Sequence, residues 1–181
     1  MENIIRNMKK IEKVKLNLGC GLKYKKGWTN VDISDKDVYQ NKLKVDVKHN
    51  FNVFPYPFPN NHFDEVLVDN VIEHLENPAK VIEEIERICK SGAIVKIIVP
   101  HFSYYQAYTD YTHKHYFTLD SIDVMLRNRN IEIVKKELEI SNNLIIKIIG
   151  KIFTFSPIIY ERFLYGYFPV QGIEWTLKIK K

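Results

Sequence analysis

Val14-Lys15-Leu16-Asn17-Leu18-Gly19-Cys20-Gly21 is a short apolar strand running directly into a glycine turn, and Trp28-Thr29-Asn30-Val31-Asp32 is a second strand closed by an acid. Glycine after a buried strand lets the backbone come close to a ligand, and an acidic side chain at the next strand end can accept hydrogen bonds from a ribose diol. The order strand, glycine turn, strand, acid therefore describes a nucleoside-binding corner on an open α/β sheet.

Working outward, Val14–Leu18, Trp28–Val31, Leu43–Val45, Glu65–Val68 and Ala93–Val99 read as short β-branched strands ending at Gly, Asp or Pro. A helix is expected to open at Asn77-Pro78 and close at Ser91-Gly92, with Val81, Ile82, Ile85, Ile88 and Cys89 on its apolar stripe. A second helix is expected after Thr118, capped by that hydroxyl and complemented by Asp120, ending near Arg127. Ile131–Ile140 and Gly172–Lys180 then alternate as an antiparallel pair. The connections between the early strands are too short or too proline-rich for ordinary crossover helices, with Pro55, Pro57 and Pro59 within one loop, so reduced loops are expected there.

Composition narrows the class. A chain of 181 residues with 45 % hydrophobic and 27 % charged residues suits one globular domain, here taken as residues 1–181. The net charge of +5 comes from dispersed lysines and arginines rather than a basic block, which argues against nucleic acid, and no DNA partner is expected. Cys20 and Cys89 form neither a disulfide framework nor a zinc-type cluster, and Met1 onward alternates charge with apolar residues instead of giving a signal-peptide core, so the expected location is cytoplasmic.

The motifs resemble class I S-adenosylmethionine-dependent methyltransferases, and within them a small bacterial and archaeal group with an L-N-L-G-C-G first motif followed by G-W-x-N-V-D. The resemblance covers roughly Lys15 to Thr118. It implies a Rossmann-like, mostly parallel α/β sheet of about seven strands with an antiparallel C-terminal hairpin. It also implies S-adenosyl-L-methionine as cofactor, with Leu18, Gly19, Cys20 and Gly21 at the methionine moiety, Asp32 at the ribose, and Asp46 with Val47 after the third strand near the adenine. The stretch Phe63-Asp64-Glu65-Val66-Leu67-Val68-Asp69-Asn70 resembles the fourth-strand motif and brings Asp69 and Asn70 to the cofactor. Departures are the two-glycine turn and Asn17 where an acid is common. The missing third glycine speaks against a nicotinamide dinucleotide and hence against an oxidoreductase. Glu73 and His74, just beyond, are read as structural hydrogen-bonding residues.

Methyl transfer from a sulfonium needs mainly alignment, because the electrophile is already activated; a base matters most when the acceptor is a hydroxyl. The loop Pro100-His101 to Phe117 carries three histidines and seven aromatic residues, and it resembles the family's P-H…D-x-T-H-x-x-x-F-T segment with Tyr111 in place of a frequent proline. His113 or His101 is the expected base, with Asp110 orienting the imidazole, and Tyr104, Tyr108, His115 and Tyr116 are the expected acceptor contacts. His113 and His115, two apart, are a weak metal signal, and no metal is expected. Residues 141–170 read as an apolar helical insertion between the last two strands. Its segment 144–168 could meet a membrane surface or a second subunit. The leading expectation is methyl transfer to a hydroxyl of a small molecule or saccharide. RNA or protein acceptors are the rivals; Val68-Asp69-Asn70-Val71 lacks the Asn/Asp-Pro-Pro-aromatic motif of base-amino methylation, which speaks against DNA adenine or cytosine-amino targets. A cofactor-binding but inactive regulatory or scaffold module is the alternative outside enzymes.

Overall fold

A computed structural model describes residues 13–36, 40–140 and 143–181; the N-terminal charge alternation and the first two residues of the 141–170 insertion lie outside the described residues. Seven strands form one sheet: β1 (Lys15–Leu18), β2 (Thr29–Asp32), β3 (Val47–Lys48), β4 (Phe63–Asp69), β5 (Cys89–Pro100), β6 (Ile131–Glu139) and β7 (Gly172–Ile179). Their spatial order is β3-β2-β1-β4-β5-β7-β6. The five strands from β3 to β5 are parallel, and β7 runs antiparallel between β5 and β6. This is the Rossmann-like mixed sheet that the resemblance implies. The chain reverses between β1 and β4, so the carboxyl ends of these strands frame the crevice where open α/β sheets take their ligands.

Burial follows the period of each element. Leu16, Leu18, Val66 and Val68 are fully buried in the two central strands, and the alternate β7 residues Ile173, Trp175, Leu177 and Ile179 face the core. Trp175 closes that core: its Nε1–H donates to Leu119 O at 2.9 Å and Phe117 meets its ring edge-on. Helix α1 (Pro78–Ile88) starts as expected, with Asn77 Oδ1 accepting from Lys80 N–H at 3.0 Å. It buries Val81, Ile82, Ile85 and Ile88.

Three expectations are corrected. The first helix ends at Ile88, not at Ser91-Gly92, because Cys89 already pairs with Phe63 of β4. Ser91-Gly92 belongs to a register irregularity inside β5, where Gly92 has φ +78°. The third strand is Val47–Lys48 rather than Leu43–Val45, so Asp46 precedes it. Helix α3 (Ser121–Met125), which follows the short α2 (Gln106–Thr109), has no side-chain cap; Thr118 instead bonds Ser121, and the Asp120 carboxylate pairs with Lys136 of β6.

The proline-rich loop stands where a crossover helix would. Tyr56 is buried in it, its amide donating to Glu84 Oε2 at 2.7 Å and its hydroxyl to Phe51 O at 3.1 Å. Arg87 of α1 binds Glu84 and reaches Tyr56 O, Phe58 O and Asn60 Oδ1, which ties the loop to the helix. Beyond β6, α4 (Leu144–Phe153) and α5 (Pro157–Ile159), continued by a π-helical turn Tyr160–Leu164, fill the interval before β7. Tyr160 is fully buried and fixes this segment: its hydroxyl donates to Phe168 O and accepts from Val170 N–H. Among the described residues no helix is long and apolar enough to cross a membrane.

Candidate functional site

The glycine turn is built by its backbone. Gly19 and Cys20 N–H both donate to Val31 O, at 2.8 and 2.9 Å, and Gly21 N–H donates to Asp32 Oδ2 at 2.8 Å. The acid at the end of β2 thus fixes the turn that follows β1. Gly19 has φ +73°, and a Cβ there would lie 2.2 Å from Val71 Cγ2, so the turn passes against the residue just beyond β4 at a distance only glycine permits. At Gly21 the φ is +44° and no atom lies within 4 Å of a built Cβ, leaving open space beside the turn. Leu18 and Cys20 are buried and present only backbone, the Cys20 thiol being pushed up to about 11 by burial.

Across the crevice, Asp69 ends β4. Its Oδ2 accepts from Lys23 Nζ at 2.7 Å and its Oδ1 from Asn70 Nδ2 at 2.9 Å, with Asn70 itself in the left-handed region at φ 54°. Leu18, Gly19, Cys20, Gly21, Asp32, Asp69 and Asn70 are therefore gathered on the carboxyl ends of β1, β2 and β4. Asp46 and Val47 lie beside β2 before the carboxyl end of β3, Val47 pairing with Val31. The Asp46 carboxylate accepts from Asn30 N–H and Nδ2–H and from Tyr24 O–H, and the Asn30 contacts hold it below the usual carboxylate range. Asn30 also bonds buried Asn17, so Asp46 secures the loop between β1 and β2. The carboxyl end of β3 is occupied by His49 and Asn50, which the misplaced strand concealed; His49 N–H donates to Asp32 O at 2.9 Å.

The aromatic loop divides into separate places. His101 is fully buried: Nδ1 accepts from Ser103 N–H at 3.1 Å and Nε2–H donates to Glu161 Oε1 at 3.1 Å. Both nitrogens are spent and no solvent reaches them, which corrects the expectation of a base at His101. Asp110 does not orient the His113 ring; its Oδ1 accepts from Thr112 O–H at 2.6 Å, and Thr112 Oγ1 accepts from His74 Nδ1–H at 2.8 Å. His113 Nδ1–H donates instead to Ala107 O at 2.8 Å, and its ring meets His74 with centroids 4.6 Å apart. His115 Nε2–H donates to Leu75 O, so His113 and His115 do not share a site.

The expected acceptor contacts fall in different cavities. Tyr104 lines a pocket of about 190 Å³ with Asn70, Gln106, Glu139 and Gln171 at the ends of β4, β5 and the β6–β7 hairpin. His115 and Tyr116 line a shallower groove of about 570 Å³ between the start of α1 and α3, and exposed Tyr108 stacks on Tyr116 with centroids 4.7 Å apart. Burial raises the Glu139 carboxyl above its ordinary value. Glu139 pairs with Gly172 in the hairpin, so the β6–β7 register held a signal for this residue.

Glu73 contradicts its expected structural role. It is 1 % exposed, neither carboxylate oxygen has a hydrogen-bond partner, and burial pushes its pKa up to about 8. Its backbone carbonyl accepts from Lys114 and His115 N–H, which joins the Ile72–His74 turn to the aromatic loop.

A family model described as a methyltransferase domain matches residues 16–97, spanning β1 to β5. No curated protein matches the sequence. Among solved structures, the chain is similar to one in the complex between the Haloferax volcanii Trm112 methyltransferase activator and a methyltransferase, with TM-score 0.62, 15 % identity, and 93 % of this chain and 82 % of that one covered. It is similar to a SAM-dependent methyltransferase from Archaeoglobus fulgidus, with TM-score 0.58, 20 % identity, and coverage of 98 % and 90 %. An S-adenosylmethionine-dependent methyltransferase from Mesorhizobium loti gives TM-score 0.62, 12 % identity, and coverage of 92 % and 90 %. The likeness to these structures speaks for the fold, and the methyltransferase-domain match covers β1 to β5, the half of the sheet whose strand ends carry the glycine turn, Asp32 and Asp69.

Proposed function

We propose that the protein transfers the methyl group of S-adenosylmethionine to a hydroxyl of a small-molecule or saccharide acceptor. The observation that carries the acceptor class is the polar lining of the pocket at the strand ends, where Asn70, Gln106, Glu139 and Gln171 surround Tyr104. Amides and a carboxyl facing an aromatic wall suit a polyol, whose hydroxyls both donate and accept.

In this reading Gly19, Gly21 and Asp69 hold the methionine moiety and Asp32 takes the ribose hydroxyls. The open space at Gly21 and the two acids facing the crevice fit that group. Asp69, now paired with Lys23, would accept the cofactor's ammonium, leaving Lys23 near its carboxylate. Bound S-adenosylmethionine would supply a methyl group already activated on its sulfonium sulfur, and the acceptor hydroxyl that takes it would give up its proton to a base. Glu139 lines the acceptor pocket with its carboxyl raised by burial, and it can take that proton. Tyr104 orients the acceptor from the same wall.

The whole chain is read as one domain with the 141–170 insertion between β6 and β7. Ile145, Ile148, Ile152, Phe155, Ile158 and Phe163 are exposed there, with Lys147 and Lys151 on α4, a composition that supports peripheral contact with an anionic lipid surface. The test is transfer of labelled methyl from S-adenosylmethionine across a panel of polyols, glycosides, RNA and protein, with Gln171→Ala beside wild type. The proposal expects turnover on polyol or glycoside acceptors and a raised acceptor KM in Gln171→Ala at unchanged cofactor affinity. Transfer confined to RNA or protein, or cofactor binding with no transfer at all, overturns it.

A further inference from the structure

We propose that Glu73, His74 and His113 form a binding site for a divalent first-row transition metal ion, in addition to the cofactor site. One ligand atom from each residue lies within 4.8 Å of the others. A tetrahedral shell with bonds of ~2.0–2.1 Å sets ligand atoms about 3.3 Å apart, so closure asks for a contraction of about 1.5 Å, within reach of side-chain torsions.

Three independent features prepare the site. Glu73 is buried with both carboxylate oxygens unpartnered, whereas buried acids are ordinarily hydrogen-bonded, ion-paired or metal-bound. Both histidines are oriented through Nδ1: His113 donates to the Ala107 carbonyl, and His74 donates to Thr112, whose own hydroxyl proton is committed to Asp110. A carbonyl only accepts, so His113 carries its proton on Nδ1, and the Thr112–Asp110 bond fixes the same tautomer in His74. Each therefore presents an Nε2 lone pair, the outer-sphere arrangement typical of metal-ligating imidazoles. Finally, the amides of Lys114 and His115 bond the Glu73 carbonyl and hold the two ligand-bearing segments in register.

The donor set decides the class of ion. Two imidazoles with one carboxylate suit zinc, iron, cobalt or manganese and are poor for calcium or magnesium, which prefer all-oxygen shells. Three protein ligands leave at least one position open for water or another ligand. Asp69 and Asp110 lie close enough to act on Glu73 electrostatically and would add to the attraction for a cation.

The test uses full-length protein stripped with a chelator and titrated with Co²⁺, read by its visible d–d absorption, and with Zn²⁺, read by calorimetry. Wild type, Glu73→Gln, His113→Ala and the exposed-histidine control His62→Ala are compared after each is shown to melt cooperatively. The proposal expects one equivalent of metal in wild type and His62→Ala, and affinity weakened roughly a hundred-fold or more in Glu73→Gln and His113→Ala. Glu73→Gln keeps the shape of the side chain, so it decides the matter even where His113→Ala fails to fold. Absence of binding by wild type overturns the proposal, as does binding that survives Glu73→Gln.

Discussion

Replacing Gly19 by alanine sets two costs that the structure separates. The first is conformational: at φ +73° an L-residue carries about 1–2 kcal/mol of strain. The second is steric: the new Cβ would sit 2.2 Å from Val71 Cγ2, 3.2 Å from Cγ1 and 3.3 Å from Cβ, and overpacking of this kind costs ~1–3 kcal/mol. Together they amount to ~2–5 kcal/mol, a large share of a domain stability of ~5–15 kcal/mol. Val71→Ala alone removes two buried methyls and should cost about 2 kcal/mol. In the double variant the clash disappears while the φ strain remains, so the combined loss should fall short of the sum by ~1–3 kcal/mol. Urea unfolding followed by circular dichroism on the four proteins gives the cycle. A Gly19→Ala cost below about 1 kcal/mol, or additivity within about 0.5 kcal/mol, refutes the contact between the glycine turn and the end of β4.

Arg87→Ala should destabilise by ~2–4 kcal/mol, because it strands the buried Glu84 carboxylate and frees three loop acceptors; a cost under about 1 kcal/mol in urea titration would show that the proline-rich loop is held otherwise. His101→Ala should lower stability by ~1–3 kcal/mol through the lost buried ring and its bond to Glu161, which keeps only the Leu119 N–H, while leaving the turnover of folded enzyme unchanged, and a selective loss of kcat would return His101 to catalysis. Asp46 is depressed by its Asn30 bonds, so its stabilisation is whole above the unfolded carboxylate value of about 3.9 and is lost as pH falls through the lower folded value. The stability gap between wild type and Asp46→Asn should therefore narrow in acid, as thermal melts between neutral pH and pH ~2 would reveal; a gap that widened on acidification would contradict the sign.

The strands that carry the cofactor corner were legible because their pattern is local. Val14 to Asp32 holds two apolar runs, a glycine pair and a terminal acid within one short stretch, and the hairpin of β6 and β7 shows in strict alternation. Errors arose where neighbours decide. Val47–Lys48 is only two residues long and exists because β2 offers Val31 and Asp32 as partners, so no periodicity could mark it. The helix ending at Ile88 rather than Gly92 reflects Cys89 pairing with Phe63, a contact across the sheet. Glu73 reads in the sequence as a structural hydrogen-bonding residue. Its burial depends on the aromatic loop folding back through Lys114 and His115, some forty residues later, which no sequence window contains. His101 and His113 were indistinguishable in sequence; Glu161, in the insertion, removes one of them from solvent.

The central claim is that the turn after β1 and the acid after β2 form the S-adenosylmethionine pocket. Calorimetric titration of wild type and Asp32→Ala with S-adenosylmethionine and its demethylated product tests it most directly. The account predicts saturable one-to-one binding by wild type and affinity at least ten-fold weaker in Asp32→Ala, a loss of about 1.4 kcal/mol or more. Absence of binding to either ligand, or equal binding by both proteins, would contradict it.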